Sequence, residues 1–125
     1  MSGLTRWTPR LVLALGVVHL VYGVVFSWSV LVEMAAEGVV ATVHGAERGY
    51  VLWFLAAGIA MLTLGAFGTW AARTAGRLPS ALGWGLVAIG LFVSIPEPIS
   101  GGWLVLALGV LALGAARRSR PPVDH

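Results

Sequence analysis

The chain has no cysteine and no lysine among its 125 residues. Without cysteine there is no disulfide framework, no thiolate metal site and no cysteine nucleophile. Charge of either sign is scarce. Asp, Glu, Lys and Arg together make up 10% of the chain, against about 25% in an average soluble domain. Motifs of chemistry are missing as well. There is no Gly-rich phosphate loop after a strand, no G-x-S-x-G elbow, no H-E-x-x-H zinc pattern and no C-x-x-C-H haem site. No RNA- or DNA-binding motif surrounds the arginines, so the net charge of +3 does not point to nucleic acid. No cofactor and no metal site are expected.

What is abundant is apolar surface. Hydrophobic residues are 58% of the sequence, more than a soluble core of this size could hide. They fall into four runs: about 11–32, 50–72, 78–95 and 99–116. The first two are long enough for a hydrocarbon core of about 30 Å at roughly 1.5 Å per residue. The last two, about 18 residues each, span with little tilt to spare. "PEPISGG" between them is a short turn that makes an antiparallel hairpin. The first run exceeds the roughly 7–15 residues of a signal-peptide core and reads as a membrane helix. The expected fold is all-α: an integral membrane four-helix bundle filling 1–116, with a short solvated tail over 117–125.

Charge assigns the sides. Arg6 and Arg10 precede the first run, Arg73 and Arg77 lie between the second and third, and Arg117, Arg118 and Arg120 follow the fourth. With four spans all seven fall on one side. The other side receives Glu33, Glu37, Glu47 and Glu97, with Arg48 as its cation. The positive-inside rule then places both termini in the cytoplasm. The six tryptophans, Trp7, Trp28, Trp53, Trp70, Trp84 and Trp103, fall near the ends of the runs, as interfacial anchors do.

Each run also carries two glycines seven residues apart: Gly16 and Gly23, Gly58 and Gly65, Gly83 and Gly90, Gly102 and Gly109. Small residues at heptad spacing form a stripe along which membrane helices approach closely. "LVLALGVV" (11–18) returns as "LVLALGVL" (104–111), but those two runs cross in opposite directions. It is therefore not a simple parallel duplication. After Glu33 the first helix is expected to continue to about Glu37, where Gly38 can stop it.

His19 stands out because ionisable groups deep in an apolar run are rare and usually face the bundle interior. It shares the glycine stripe with Glu33 and Glu37, and Tyr22 lies on its flank. The structural reading has a neutral His19 bonding a backbone carbonyl or Tyr22. The functional reading has it holding a ligand or handling protons. Glu33 lies about 21 Å along the helix from His19, too far to share one ion. Glu33 and Glu37, one turn apart, repel unless paired, and Arg48 is the obvious partner. A salt-bridge network closing the outer mouth is one reading; a carboxylate pair acting as acid and base or binding a cation, with His44 joining, is the other. Trp53 completes the candidate ligand-binding set of His19, Tyr22, Glu33, Glu37 and Arg48.

"GVVHLVYG", "ERGYVLWFLAAG", "LPSALGW" and "PEPISGGW" together resemble a family of uncharacterised small bacterial integral membrane proteins with four transmembrane helices. The shared pattern is G-x-x-H, an arginine before W-F-x-x-x-G, L-P before the third helix and P-x-S-G-x-W before the fourth. His19, Arg48, Trp53, Phe54, Gly58, Pro79, Pro98, Ser100, Gly101 and Trp103 are the matching positions. The resemblance implies the four-helix fold and a bacterial plasma membrane, and no activity. Three functions fit the residues. The expected one is a non-catalytic accessory or lipophilic-ligand-binding protein. The alternatives are a small proton-coupled exporter acting as a dimer, and a membrane isomerase or cyclase using His19, Tyr22, Glu33 and Glu37. The expected partners are the lipid bilayer, a lipophilic small molecule, and a second copy or another membrane protein.

Overall fold

The computed structural model describes residues 2–118 and is all-helical there, with five helices and no strand. In chain order these are α1 (Gly3–Phe26), α2 (Trp28–Ala36), α3 (Gly45–Ala75), α4 (Ser80–Ser94) and α5 (Gly102–Arg118). By length and composition α1 and α3 are each apolar enough to cross a membrane. α4 is apolar but shorter.

Helix ends differ from the apolar runs for local reasons. α1 begins well before Leu11 because the Ser2 side chain caps it, accepting from the Thr5 amide at 3.2 Å. Ser27 interrupts the first run with a non-helical backbone, φ −107° and ψ 15°. The helix restarts at once as α2, so one expected helix becomes two in tandem. α2 stops where Gly38 takes a left-handed φ of 98°. The Val39 and Gly38 amides then return to the carbonyls of Met34 and Ala35, the paired bonds of a Schellman ending. α4 starts after Pro79, whose extended backbone forms its N-cap. It ends before Pro96, which has no amide to donate. At the other end of the chain, Arg117 and Arg118 belong to α5 rather than to a tail. The rest of the expected tail, 119–125 with Arg120, lies outside the described residues.

The helices pack as two antiparallel pairs, α1 with α3 and α4 with α5, joined chiefly where α1 meets α5. All eight heptad-spaced glycines are buried. Each receives a side chain from its partner helix. A Cβ built on Gly16 would meet Leu62, on Gly23 Phe54 and Leu55, on Gly58 Leu20, and on Gly65 Leu13. In the second pair Gly83 faces Leu113, Gly90 faces Leu106, Gly102 faces Ser94 and Gly109 faces Val87. The inserted residues are themselves seven apart on every helix: Leu13 and Leu20, Leu55 and Leu62, Val87 and Ser94, Leu106 and Leu113. Both pairs therefore obey one rule, in which glycine holes and large knobs alternate along a heptad seam.

That shared rule relates α1 to α4 and α3 to α5, helices that run in the same direction. Local sequence agrees. Ala14-Leu15-Gly16 corresponds to Ala81-Leu82-Gly83, and Ala71-Ala72-Arg73 to Ala115-Ala116-Arg117. The similarity between 11–18 and 104–111 instead joins helices of opposite direction. The same packing rule is thus used twice, with the second seam shifted by one heptad: Gly16 meets Leu62, whereas Gly83 meets Leu113, seven residues beyond the counterpart Leu106. The first pair is enlarged by α2 and its loop: 35 positions separate Gly23 from Gly58, but 12 separate Gly90 from Gly102.

The buried core joins the two pairs. It includes Val12, Met61, Leu82, Leu86, Val105, Leu108, Ala112 and Ala115. The exterior is apolar as well. Phe92 is 81% and Ile99 97% exposed, and every tryptophan is at least 49% exposed.

Candidate functional site

His19 sits in the α1–α3 seam, one position before the knob Leu20. Its Nε2 donates to the Phe54 carbonyl at 2.9 Å. The partner is an acceptor only, so Nε2 carries the hydrogen. The imidazole also stacks on the Phe54 ring, with centroids 3.9 Å apart and planes 14° apart. Gly58 makes this approach feasible: a Cβ there would lie 3.2 Å from His19 Cδ2. The seam that closes the helix pair thus aims the imidazole at the α3 backbone. Of the two expected partners, carbonyl and Tyr22, the carbonyl is the one it bonds.

Aromatic side chains continue from this point. Tyr22 stacks on Phe26 at 4.2 Å and is tilted against Phe54 at 6.0 Å. Tyr50 meets Phe54 at 5.9 Å. Phe54 is therefore the hub of the cluster, although sequence singled it out only through the family pattern. Trp53, next to it in sequence, is 73% exposed and makes no ring contact with the cluster among the described residues. A shallow apolar groove of about 350 Å³ runs over Val17, Val18, Val21, Tyr22, Val25 and Phe26. His19 does not line it.

The acid-bearing end is organised by Arg48. Its guanidinium forks onto Glu37, with Nη1 to Oε2 at 2.8 Å and Nη2 to Oε1 at 2.9 Å. Nη1 also donates to the Thr42 carbonyl at 2.7 Å, and Nη2 lies 3.6 Å from Glu33 Oε2. His44 Nε2 is 3.9 Å from Glu37. One side chain from the first turn of α3 thus ties together the end of α2 and the connecting loop. The Arg48 side chain is only 15% exposed, because the loop folds over it. The loop itself is bent through left-handed φ at Val39 (69°) and Ala41 (56°), and the Thr42 hydroxyl donates to the Val39 carbonyl at 2.7 Å. The hydrogen bond and charge of Arg48 hold the Glu37 carboxyl below the usual glutamate range, with burial opposing in part.

The candidate residues therefore separate into two groups. Glu33, Glu37, His44 and Arg48 come together; Glu47 makes no ion pair among the described residues. His19, Tyr22 and Phe54 form the other group. No cluster of three metal-ligating side chains is present among the described residues. Sequence reasoning missed Thr42, whose carbonyl completes the arginine site and whose side chain is buried. It also missed the role of Phe54. For Phe54 the signal was its position four residues before Gly58, where a partner side chain can reach a helix carbonyl.

No curated protein and no solved structure matches this sequence. Residues 3–119 match the model of a family of unknown function, DUF6463. That span includes both helix pairs, His19 and the Arg48 cluster, and the chain belongs to this family.

Proposed function

We propose that the chain is a multi-pass protein of the bacterial plasma membrane that acts as a non-catalytic accessory or lipophilic-ligand-binding protein. α1, α3, α4 and α5 would all cross the bilayer, with both termini in the cytoplasm. The observation that carries this reading is the apolar exterior together with glycine at the helix contacts. Eight glycines let the helices close on side chains of the partner helix, chiefly leucine, while Phe92, Ile99 and every tryptophan face outward. Helices in lipid associate through small residues because outward apolar groups lose nothing there. In water the same exterior would be an aggregation surface.

α4 has 15 residues, about 22 Å at roughly 1.5 Å per residue. It reaches across with the help of the flanking Leu78–Pro79 and Ile95–Pro96 and local thinning of the bilayer. Arginines at one end and carboxylates at the other set the orientation. The bond from His19 to a helix carbonyl supports a structural use of that imidazole rather than proton transfer. The aromatic cluster around Phe54 supports a lipophilic ligand approaching from the bilayer at the α1–α3 face.

Topology reporters test the reading. Fusions at the C-terminus and in the 38–44 loop are expected to give opposite results: cytoplasmic at the C-terminus, external at the loop. A fusion between α3 and α4 is expected to match the C-terminus, and one in the 95–101 turn between α4 and α5 to match the 38–44 loop. A result placing the 95–101 turn on the same side as the C-terminus would overturn the four-span reading.

A further inference from the structure

At the arginine-bearing end a groove of about 460 Å³ opens between the end of α3, the linker to α4 and the last turns of α5. Its apolar part includes Phe67, Trp70 and Ala116, and its polar rim includes Arg77 and Ser80. Phe67 and Trp70 stack on one another at 5.7 Å and stay about half exposed. They form a ridge continuous with the apolar exterior. Arg77 has no carboxylate partner among the described residues. Its neighbours on this end, Arg73, Arg117 and Arg118, are also cationic. The geometry contrasts with Arg48, whose charge is fully engaged by protein groups.

We propose that this groove is a binding site for an anionic phospholipid of the inner leaflet. The phosphate lies against the Arg77 guanidinium and the Ser80 hydroxyl, and the first methylenes of an acyl chain lie along Phe67 and Trp70. This rests on the membrane reading above. Charge complementarity selects the occupant. An unpaired guanidinium at the rim of an apolar trough matches an amphiphile with an anionic head, and arginine holds phosphate through two parallel charge-assisted bonds. The Trp70 indole on the groove wall is suited to the interface between chain and headgroup. The groove is formed because Gly76 takes a left-handed φ of 68°. That turn ends α3 and brings the linker carrying Arg77 back over the groove.

The test uses the full chain reconstituted in phosphatidylcholine vesicles. Brominated phosphatidylglycerol or brominated phosphatidylcholine is added as a minor component at equal fractions. Trp70 quenching is read as the difference between the wild type and Trp70→Phe. Phosphatidylglycerol is expected to quench Trp70 several-fold more effectively than phosphatidylcholine. Arg77→Gln should abolish that preference. Ala75→Leu, which narrows the groove without adding a fluorophore, should weaken it. Arg6→Gln, which keeps the groove and removes an arginine elsewhere on the same end, should leave it intact. Equal quenching by both lipids, or an equal loss in Arg6→Gln, overturns the site while leaving the membrane reading standing. Absence of quenching of any tryptophan by either lipid overturns both.

Discussion

Gly90 gives the sharpest test of the packing rule. A Cβ at this position would stand 2.5 Å from the Leu106 amide nitrogen and 2.7 Å from its Cα and Cβ. The first two are backbone atoms and the Cβ is fixed to them, so none can rotate away. Restoring a contact near 3.5 Å requires α4 and α5 to part by roughly 1 Å. Overfilling of this kind costs about 1–3 kcal/mol. Alanine also gains about 1 kcal/mol of helix propensity over glycine, which would mask part of the cost. Gly85 supplies the control. It lies in the same helix, and a Cβ there would meet nothing within 4 Å. Gly85→Ala therefore reports propensity alone, and Gly90→Ala reports propensity plus overfilling. The difference between the two variants is expected to be about 1–3 kcal/mol, with Gly90→Ala the less stable. Gly58→Ala should fall between them. Its nearest contacts are the Leu20 side-chain carbons at 2.6 Å, which can change rotamer. Equilibrium unfolding in mixed detergent micelles, followed by near-UV circular dichroism, measures all three. Equal stability of Gly90→Ala and Gly85→Ala would refute the claim that this seam closes on glycine.

Two further outcomes follow from the candidate site. Glu37 has its carboxyl pKa lowered in the folded chain, so its contribution is present above the ordinary glutamate range and is lost as pH falls through the depressed value. Amide exchange in the 37–44 segment should accordingly quicken, relative to the intrinsic rate, as pH falls below the ordinary glutamate range; Arg48→Gln should exchange fast already at neutral pH, and an unchanged protection pattern in that variant would remove Arg48 as the organiser of the loop. His19→Leu should lower stability by less than about 2 kcal/mol, the range for one interhelical hydrogen bond in a membrane protein. A larger loss, measured by the same unfolding assay, would mean that the imidazole does more than bond Phe54.

Sequence made the glycine seams legible because helices that approach closely must exchange side-chain volume for proximity, and a heptad of glycines has few other uses. It made the Arg48–carboxylate pairing legible for a different reason: a lone cation among acids has little choice. The interruption at Ser27 was not legible. An apolar pattern continues through it, and the break lies in one residue's dihedrals. The start of α4 was only partly legible, since the apolar run begins before Pro79 although regular helix does not. Nor did sequence identify the α3 carbonyl that meets His19. That depends on the register of two helices separated by the α2 segment, and register is fixed by all four glycine contacts acting together.

The packing rule that both helix pairs share bears on what His19 is for. In the correspondence that superposes Gly16 and Gly23 on Gly83 and Gly90, His19 falls on Leu86. Leu86 is 1% exposed and belongs to the core. The second pair thus packs with a leucine at the place where the first carries an imidazole. By the glycine contacts of the second seam, the place opposite Leu86 that Phe54 takes opposite His19 is held by Val105, also in the core. Close packing of such a pair therefore does not require the histidine. Nor does it require α2, the loop and the Arg48 clamp, all of which belong to the first pair alone. The features that distinguish the two pairs lie in the acid-bearing half of the α1–α3 pair. Structural necessity accounts for what the pairs share; selection for function is to be sought in what they do not.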